Sequence, residues 1–176
     1  MDEIIDVLDE KTGEKTGETI AKSEAHKKGI WHGSIHVLII NNDKTKTLLQ
    51  KRCAEKKLYP NTWDIAVGGH ISAGEDDLTS AKRELEEELG LNPEILKIEK
   101  VDRITEMLNN NGVISNEYVS IFIAYSDVDI KDIKLQKEEV SEAKWCTKKE
   151  LNNYIENKET IPHVREYEIL NDILKD

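Results

Sequence analysis

Short alternating runs of apolar and polar residues dominate the first third of the chain, each bounded by turn-forming residues. Glu3 to Leu8 alternates as a strand does, Lys11, Thr12 and Gly13 supply a turn, and a return strand is expected near Gly17–Ala21. Ser34–Asn41 is β-branched and apolar, and Thr47–Arg52 follows across Asn41, Asn42 and Asp43, which predicts a second hairpin. Trp63–Val67 reads as a short strand that Gly68 and Gly69 stop. From Asp77 to Leu89 the period lengthens to that of a helix, with Leu78, Ala81, Leu85 and Leu89 on one face. Asp76 and Asp77 suit its start and Gly90 its end. Ile95–Ile104 and Tyr118–Ala124 then pair around the Asn109–Gly112 turn, with Glu142–Cys146 as a further strand. Lys148–Ile155 and His163–Leu174 close the chain as helices, His163 standing at a helix start. Mixed strands with helices to either side predict an α/β class, layered α/β/α. One domain is expected over residues 1–176, with residues 1–24 an N-terminal β-hairpin extension whose edge would suit a homodimer.

Composition narrows the partners. The chain has 176 residues, 36 acidic and 25 basic, for a formal net charge of −11. That balance disfavours a nucleic acid polymer, while a small phosphorylated molecule stays open because divalent cations bridge carboxylates and phosphates. Cys53 and Cys146 have no paired spacing, so neither a disulfide framework nor a cysteine zinc site is implied. The acidic opening is unlike a signal peptide, and no apolar run nears the ~20 residues a membrane span needs. No membrane association is expected, and the expected location is the cytoplasm.

Residues 69–91 carry the chemistry. At about 100° per residue, a helix places Glu84, Glu87 and Glu88 within an arc of roughly 100°, while Glu86 projects to the opposite side. Carboxylates at these spacings repel, and helix formation gives no reason for the arrangement. Arg83 reaches Glu87 one turn on, yet one guanidinium cannot neutralise three carboxylates. Hard oxygen ligands on a rigid element are what Mg²⁺ or Mn²⁺ takes.

Gly69, Glu75, Arg83, Glu84, Leu85, Glu87, Glu88, Gly90 and Leu91 together fill every fixed position of a loop–helix–loop signature. In this the chain resembles the Nudix hydrolase family. The resemblance implies a Nudix-type α/β/α sandwich with a mixed sheet. It implies a pyrophosphohydrolase (an acid anhydride hydrolase) that uses Mg²⁺ or Mn²⁺ on a nucleoside diphosphate derivative or other small organic diphosphate. Glu84, Glu87, Glu88 and the Gly69 carbonyl would hold the metal, Arg83 would orient the carboxylates, and Glu75 would brace the loop. An acidic residue outside this segment, for which Glu139 and Glu117 are the candidates, would act as general base.

The flanks resemble a narrower branch, the isopentenyl diphosphate isomerases and hydrolases like them. The likeness runs through His26 and His32, residues 48–63, the Gly69-His70 pair, Asn116-Glu117, Glu139-Val140 and Trp145. It implies a second metal site at His26, His32, His70 and Glu117, with Arg52 and Lys56 on the diphosphate. The departures favour hydrolysis. Gly68 replaces the isomerase cysteine, Ser115 replaces a metal-binding glutamate, and Thr105 aligns with an expected tyrosine; Cys53 lies elsewhere in the chain. The alternatives are an isomerase-like enzyme and a non-catalytic ligand-binding domain. Trp31, Tyr59 and Trp63 are candidates for stacking or pocket lining, Lys51 and Lys57 extend the basic cluster, and His36 is expected to face solvent or a covering helix. Residues 19–33 and 105–117 are read as the loops that set specificity.

Overall fold

The structure, a computed structural model, describes residues 2–176. Its sheet is organised by the most apolar run, His32–Ile40, every residue of which is buried. Chain order gives β1 (Ile4–Leu8), β2 (Lys15–Ala21), α1 (Lys22–Lys28), β3 (His32–Ile40), β4 (Lys46–Arg52), β5 (Trp63–Ile65) and β6 (Val67–His70). These are followed by α2 (Asp77–Leu89), β7 (Lys97–Asn110), β8 (Val113–Tyr125), β9 (Val140–Thr147), α3 (Lys148–Glu156) and α4 (Arg165–Ile173). β3 runs parallel to β8, from His32 opposite Glu117 to Ile40 opposite Tyr125. It is antiparallel to β1, β4 and β6. The sheet is therefore mixed.

Alternation along β3 divides the interior in two. Ile35, Val37 and Ile39 face α2, packing with Ala81, Leu85 and Leu89. Leu38 and Ile40 face the closing helices, packing with Leu151, Tyr167 and Leu170. The result is the α/β/α sandwich, with the β1–β2 hairpin leaning on β3 through Val7 opposite His32.

α2 carries its own boundaries. The Asp76 side chain accepts from Thr79 N at 2.9 Å, and Gly90 ends the helix at φ 65°. Leu78 departs from its expected place on the core face: it is exposed, while its neighbour Asp77 is the first-turn residue that meets the sheet, accepting from Ser120 Oγ of β8 at 2.7 Å. Gly68 and Gly69 do not stop a strand either. The chain breaks at Ala66 instead, and both glycines lie inside β6, paired with His36 and Ile35. The presumed loops are also largely regular: residues 22–28 form α1, and the β7–β8 hairpin runs unbroken to the turn at Asn111 and Gly112.

Replacing Asp76 with alanine should lower unfolding free energy by about 1 kcal/mol. Leu85→Ala should cost roughly 2–5 kcal/mol, and Leu78→Ala close to nothing. Urea denaturation ranks the three, and a Leu78 effect as large as that of Leu85 would contradict the assigned face.

Candidate active site

One cavity of about 860 Å³ opens where β6, the second half of α2 and the β7–β8 hairpin converge. Gly69, Arg83, Glu84, Glu87 and Glu88 line it, as do Arg52, Lys56, Glu139, His26, His70 and Glu117. His32, the remaining predicted site residue, lies directly behind, its ring 5.1 Å from that of His26 and 5.2 Å from that of His70.

Arg83 sits at the hub of the carboxylates. Its Nη1 donates to Glu84 Oε1 at 2.7 Å and to Glu87 Oε2 at 3.4 Å, and its Nη2 donates to Glu75 Oε2 at 3.2 Å and the His70 carbonyl at 3.1 Å. One fork thereby ties helix, loop and strand together. Glu75 also accepts from Ser80 Oγ at 2.6 Å, which braces the loop. A side chain at Gly69 would overlap the carboxyl end of Glu84, so β6 and α2 approach this closely only through glycine. Glu84 and Glu88 are buried, Glu87 is half exposed at the rim, and Glu86 faces solvent. Burial, then the charges of Glu84 and Glu139, push Glu88 well above the usual carboxylate range. Burial also raises Glu84, against the pull of Arg83. Gln50 Nε2 donates to Glu88 Oε2 at 3.1 Å, a neutral partner that leaves the charge unanswered.

The three histidines and Glu117 gather as the isomerase likeness implied. Their candidate ligand atoms all lie within 4.8 Å of one another. Glu117 Oε1 is 3.6 Å from His32 Nε2 and 3.7 Å from His70 Nε2, and His26 Nε2 is 3.1 Å from His70 Nε2. These spacings bracket ~3.4 Å, the edge of a tetrahedron with ~2.1 Å metal–ligand bonds. His32 Nδ1 donates to the Ile30 carbonyl at 2.8 Å, leaving a buried Nε2 with no partner. That is the outer-shell arrangement of a metal-ligating histidine. Burial and neighbouring His32 depress His26 to about 4, and burial holds His70 well below its usual value. Although burial opposes it, hydrogen bonds and the histidine charges keep Glu117 ionised. His32 is the exception, raised by Glu117 in spite of burial. Ser115, in the place of a glutamate, hydrogen-bonds His26 at 3.2 Å and also donates to Glu117.

On the opposite wall, Lys56 pairs with Glu139, and Arg52 donates to the Leu58 carbonyl at 3.0 Å and to Asp64 Oδ2 at 3.4 Å. Exposed Lys57 reaches the rim as well. Trp31, Tyr59 and Trp63 are not among the residues lining this cavity: Trp31 packs on Tyr118 and Trp63 on Tyr154. Cys53 is buried, donating to the Glu138 carbonyl at 2.8 Å.

Sequence reasoning missed the cavity floor. His163 is no mere helix-start residue: it is buried, donating from Nδ1 to Glu106 Oε1 at 2.7 Å and from Nε2 to Asp64 Oδ1 at 3.0 Å. Between two carboxylates it holds both protons, and in spite of burial its pKa lies well above that of a free histidine. Burial opposes ionisation of Asp64, but His163 and Arg52 bring it down to about 2. Thr105 is exposed and does not line the cavity. Alternation along β7 turns Glu106 inward, opposite Glu117. His36 meets the covering helix, where Glu166 receives it. An acidic residue inside the apolar Trp63–Ile65 strand, and another on the buried face of α4, were the available signals.

A mixed α/β/α sandwich that presents a glycine-tight carboxylate helix to a basic-rimmed cavity has the form of a diphosphate-cleaving hydrolase. Residues 31–166 match the NUDIX domain, and the chain belongs to the Nudix hydrolase family as an enzyme of the pyrophosphohydrolase type. It is 39% identical over 158 residues to Nudix hydrolase 3 of Arabidopsis thaliana, covering 88% of this chain and 20% of that protein, so it spans about a fifth of that relative's length. An isopentenyl-diphosphate Delta-isomerase of Dinoroseobacter shibae is 32% identical over 140 residues, covering 79% of this chain and 77% of the relative. The solved structure of DR0079 from Deinococcus radiodurans shares the fold at TM-score 0.75 and 18% identity, covering 98% of this chain and 100% of that one. None of the described helices is long and apolar enough to cross a membrane.

An acid whose pKa is raised on folding favours the folded state below its unfolded value and loses that stability as pH rises through the folded value. The stability that Glu88 contributes to metal-free protein should therefore fall as pH climbs above the ordinary glutamate value of 4.5, while His26 and His70 act the other way up to the ordinary histidine value of 6.5. At about pH 8, Glu88→Gln should raise the metal-free Tm while removing most of the Tm gain that Mg²⁺ or Mn²⁺ gives the wild type. A lower metal-free Tm for this variant, by calorimetry, would contradict the assignment.

Proposed function

We propose that the protein is a Mg²⁺- or Mn²⁺-dependent hydrolase of a small organic diphosphate, its metal held by Glu84, Glu87, Glu88 and the Gly69 carbonyl. The observation that carries this reading is the convergence of Glu84 and buried Glu88 on one cavity wall, Glu84 answered by the Arg83 guanidinium and Glu88 hydrogen-bonded to neutral Gln50. Metal bound there would polarise a phosphoryl oxygen and lower the pKa of a water. Arg83 keeps the carboxylates in register, so that little reorganisation is needed at the moment of reaction. Arg52 and Lys56, already on the cavity wall, take the diphosphate. Once Lys56 turns to phosphate, Glu139 is released to accept the proton of the attacking water. His26, His32, His70 and Glu117 form a second site, for Mn²⁺ or Zn²⁺ rather than Mg²⁺, since imidazole suits the softer ions.

The histidine cluster is the feature of the site that favours an isomerase, alongside the likeness to isomerase relatives. A Cβ at Gly68 would stand at an ordinary 3.5 Å from His36 Cδ2, so room for a thiol exists and the chain does not use it. Without that proton donor the isomerase reading lacks its chemistry.

Turnover is expected on some member of a panel of nucleoside, sugar and prenyl diphosphates with Mg²⁺ or Mn²⁺. Glu84→Gln and Glu87→Gln should each lower kcat by roughly a hundredfold or more with the fold retained. Unchanged turnover in both would remove the carboxylates from the reaction. Deuterium entering isopentenyl diphosphate without cleavage would install the isomerase reading instead. His32→Ala should lose one equivalent of bound Mn²⁺ or Zn²⁺ in a calorimetric titration and keep the other. Loss of neither ion, or of both, would refute two separate sites.

A further inference from the structure

The proposed hydrolytic machinery leaves one buried polar cluster unused, on the cavity floor across Gly68 from the α2 carboxylates. His36 is about nine-tenths buried, and its Nδ1 donates at 2.6 Å to Oε1 of fully buried Glu166. Its Nε2 has no hydrogen-bond partner among the described residues, and the side chain lines the cavity. His163 meets it edge-on at 4.6 Å between ring centres. Glu106 lines the cavity too, and its second oxygen is buried with no partner among the described residues; Glu166 stands behind His36, outside the lining. Gly68 carries no side chain, so the way from the Gly69–Glu84 contact to His36 stays open.

Buried polar atoms without partners are costly, and a ligand that satisfies them recovers that cost. A prenyl chain has nothing to offer them. An ammonium gains little, because Asp64, Glu106 and Glu166 already face Arg52, His163 and His36. A hydroxyl both donates and accepts, and so serves His36 in either protonation state. The volume, about 860 Å³, accommodates a nucleotide-sized molecule.

We propose that this floor is the subsite for the organic group of the substrate, that the group is hydroxyl-rich (a sugar or polyol), and that His36, held by Glu166, is its specificity-determining contact. The proposal rests on the hydrolase reading for the placement of the diphosphate.

The test is calorimetric binding with Ca²⁺ as the metal, comparing UDP-glucose and ADP-ribose with isopentenyl and geranyl diphosphate, so that the comparison stands with or without turnover. Wild type should bind at least one hydroxylated ligand about tenfold or more tighter than either prenyl ligand, and His36→Phe should erase most of that ratio, read well below a Tm that falls because buried Glu166 loses its partner. If His36→Phe does not fold, His36→Gln is read the same way. Equal or tighter prenyl binding, no binding of any of the four, or a ratio untouched by the His36 substitution overturns the proposal. A hydroxyl preference without hydrolysis under Mg²⁺ or Mn²⁺ defeats the hydrolase reading and leaves the subsite standing. Hydrolysis with a prenyl preference does the reverse.

Discussion

Like-charged carboxylates held together out of water are the constraint from which the rest of the molecule follows. Glu84 and Glu88 lie one turn apart on the inner edge of α2, buried, with Arg83 paired to Glu84 and Lys56 the cation that acts on Glu88. A protein free to maximise stability would not build this, since burying charge without a full set of partners is costly. The surrounding structure holds it in place. Asp76 and Gly90 fix the ends of α2, Ala81, Leu85 and Leu89 anchor its other edge to the sheet, and Gly69 admits the Glu84 carboxyl against the backbone of β6. Apolar packing supplies the stability that the site gives up.

β3 performs the second organising role. Its odd-numbered residues Ile35, Val37 and Ile39 pack under α2, while His32, Ser34 and His36 on the other face meet Glu117 and Glu166. Parallel pairing with β8 sets Glu117 beside His32, and antiparallel pairing with β6 sets His70 beside Ser34 and Gly68 beside His36. Three strands far apart in sequence thus converge on one wall, and period-two alternation turns their polar residues the same way. The carboxylate helix, the histidine cluster and the ionic floor become three sides of one cavity.

What the sequence made legible was local or already patterned. The caps of α2, its apolar stripe and the spacing of its glutamates lie within a short segment, and helix geometry alone separates Glu86 from Glu87 and Glu88. The histidine set was legible through its likeness to isomerases, which carries long-range pairing that no periodicity reveals. The floor was hidden because its partners are remote: His36 and Glu166 are 130 residues apart, and His163 and Asp64 are 99 apart. Leu78 misled because a helical stripe says which face is apolar and nothing about which of its residues the fold covers. Gly68 and Gly69 misled because glycine inside an edge strand marks close approach as well as an end.

Anomalous diffraction from a crystal soaked in Mn²⁺ addresses the central claim directly. A peak ringed by the Glu84, Glu87 and Glu88 carboxylates and the Gly69 carbonyl, with Arg83 still in contact with Glu84, is the predicted result. A map with no manganese at that helix, its glutamates unmoved while metal collects elsewhere, would contradict the account.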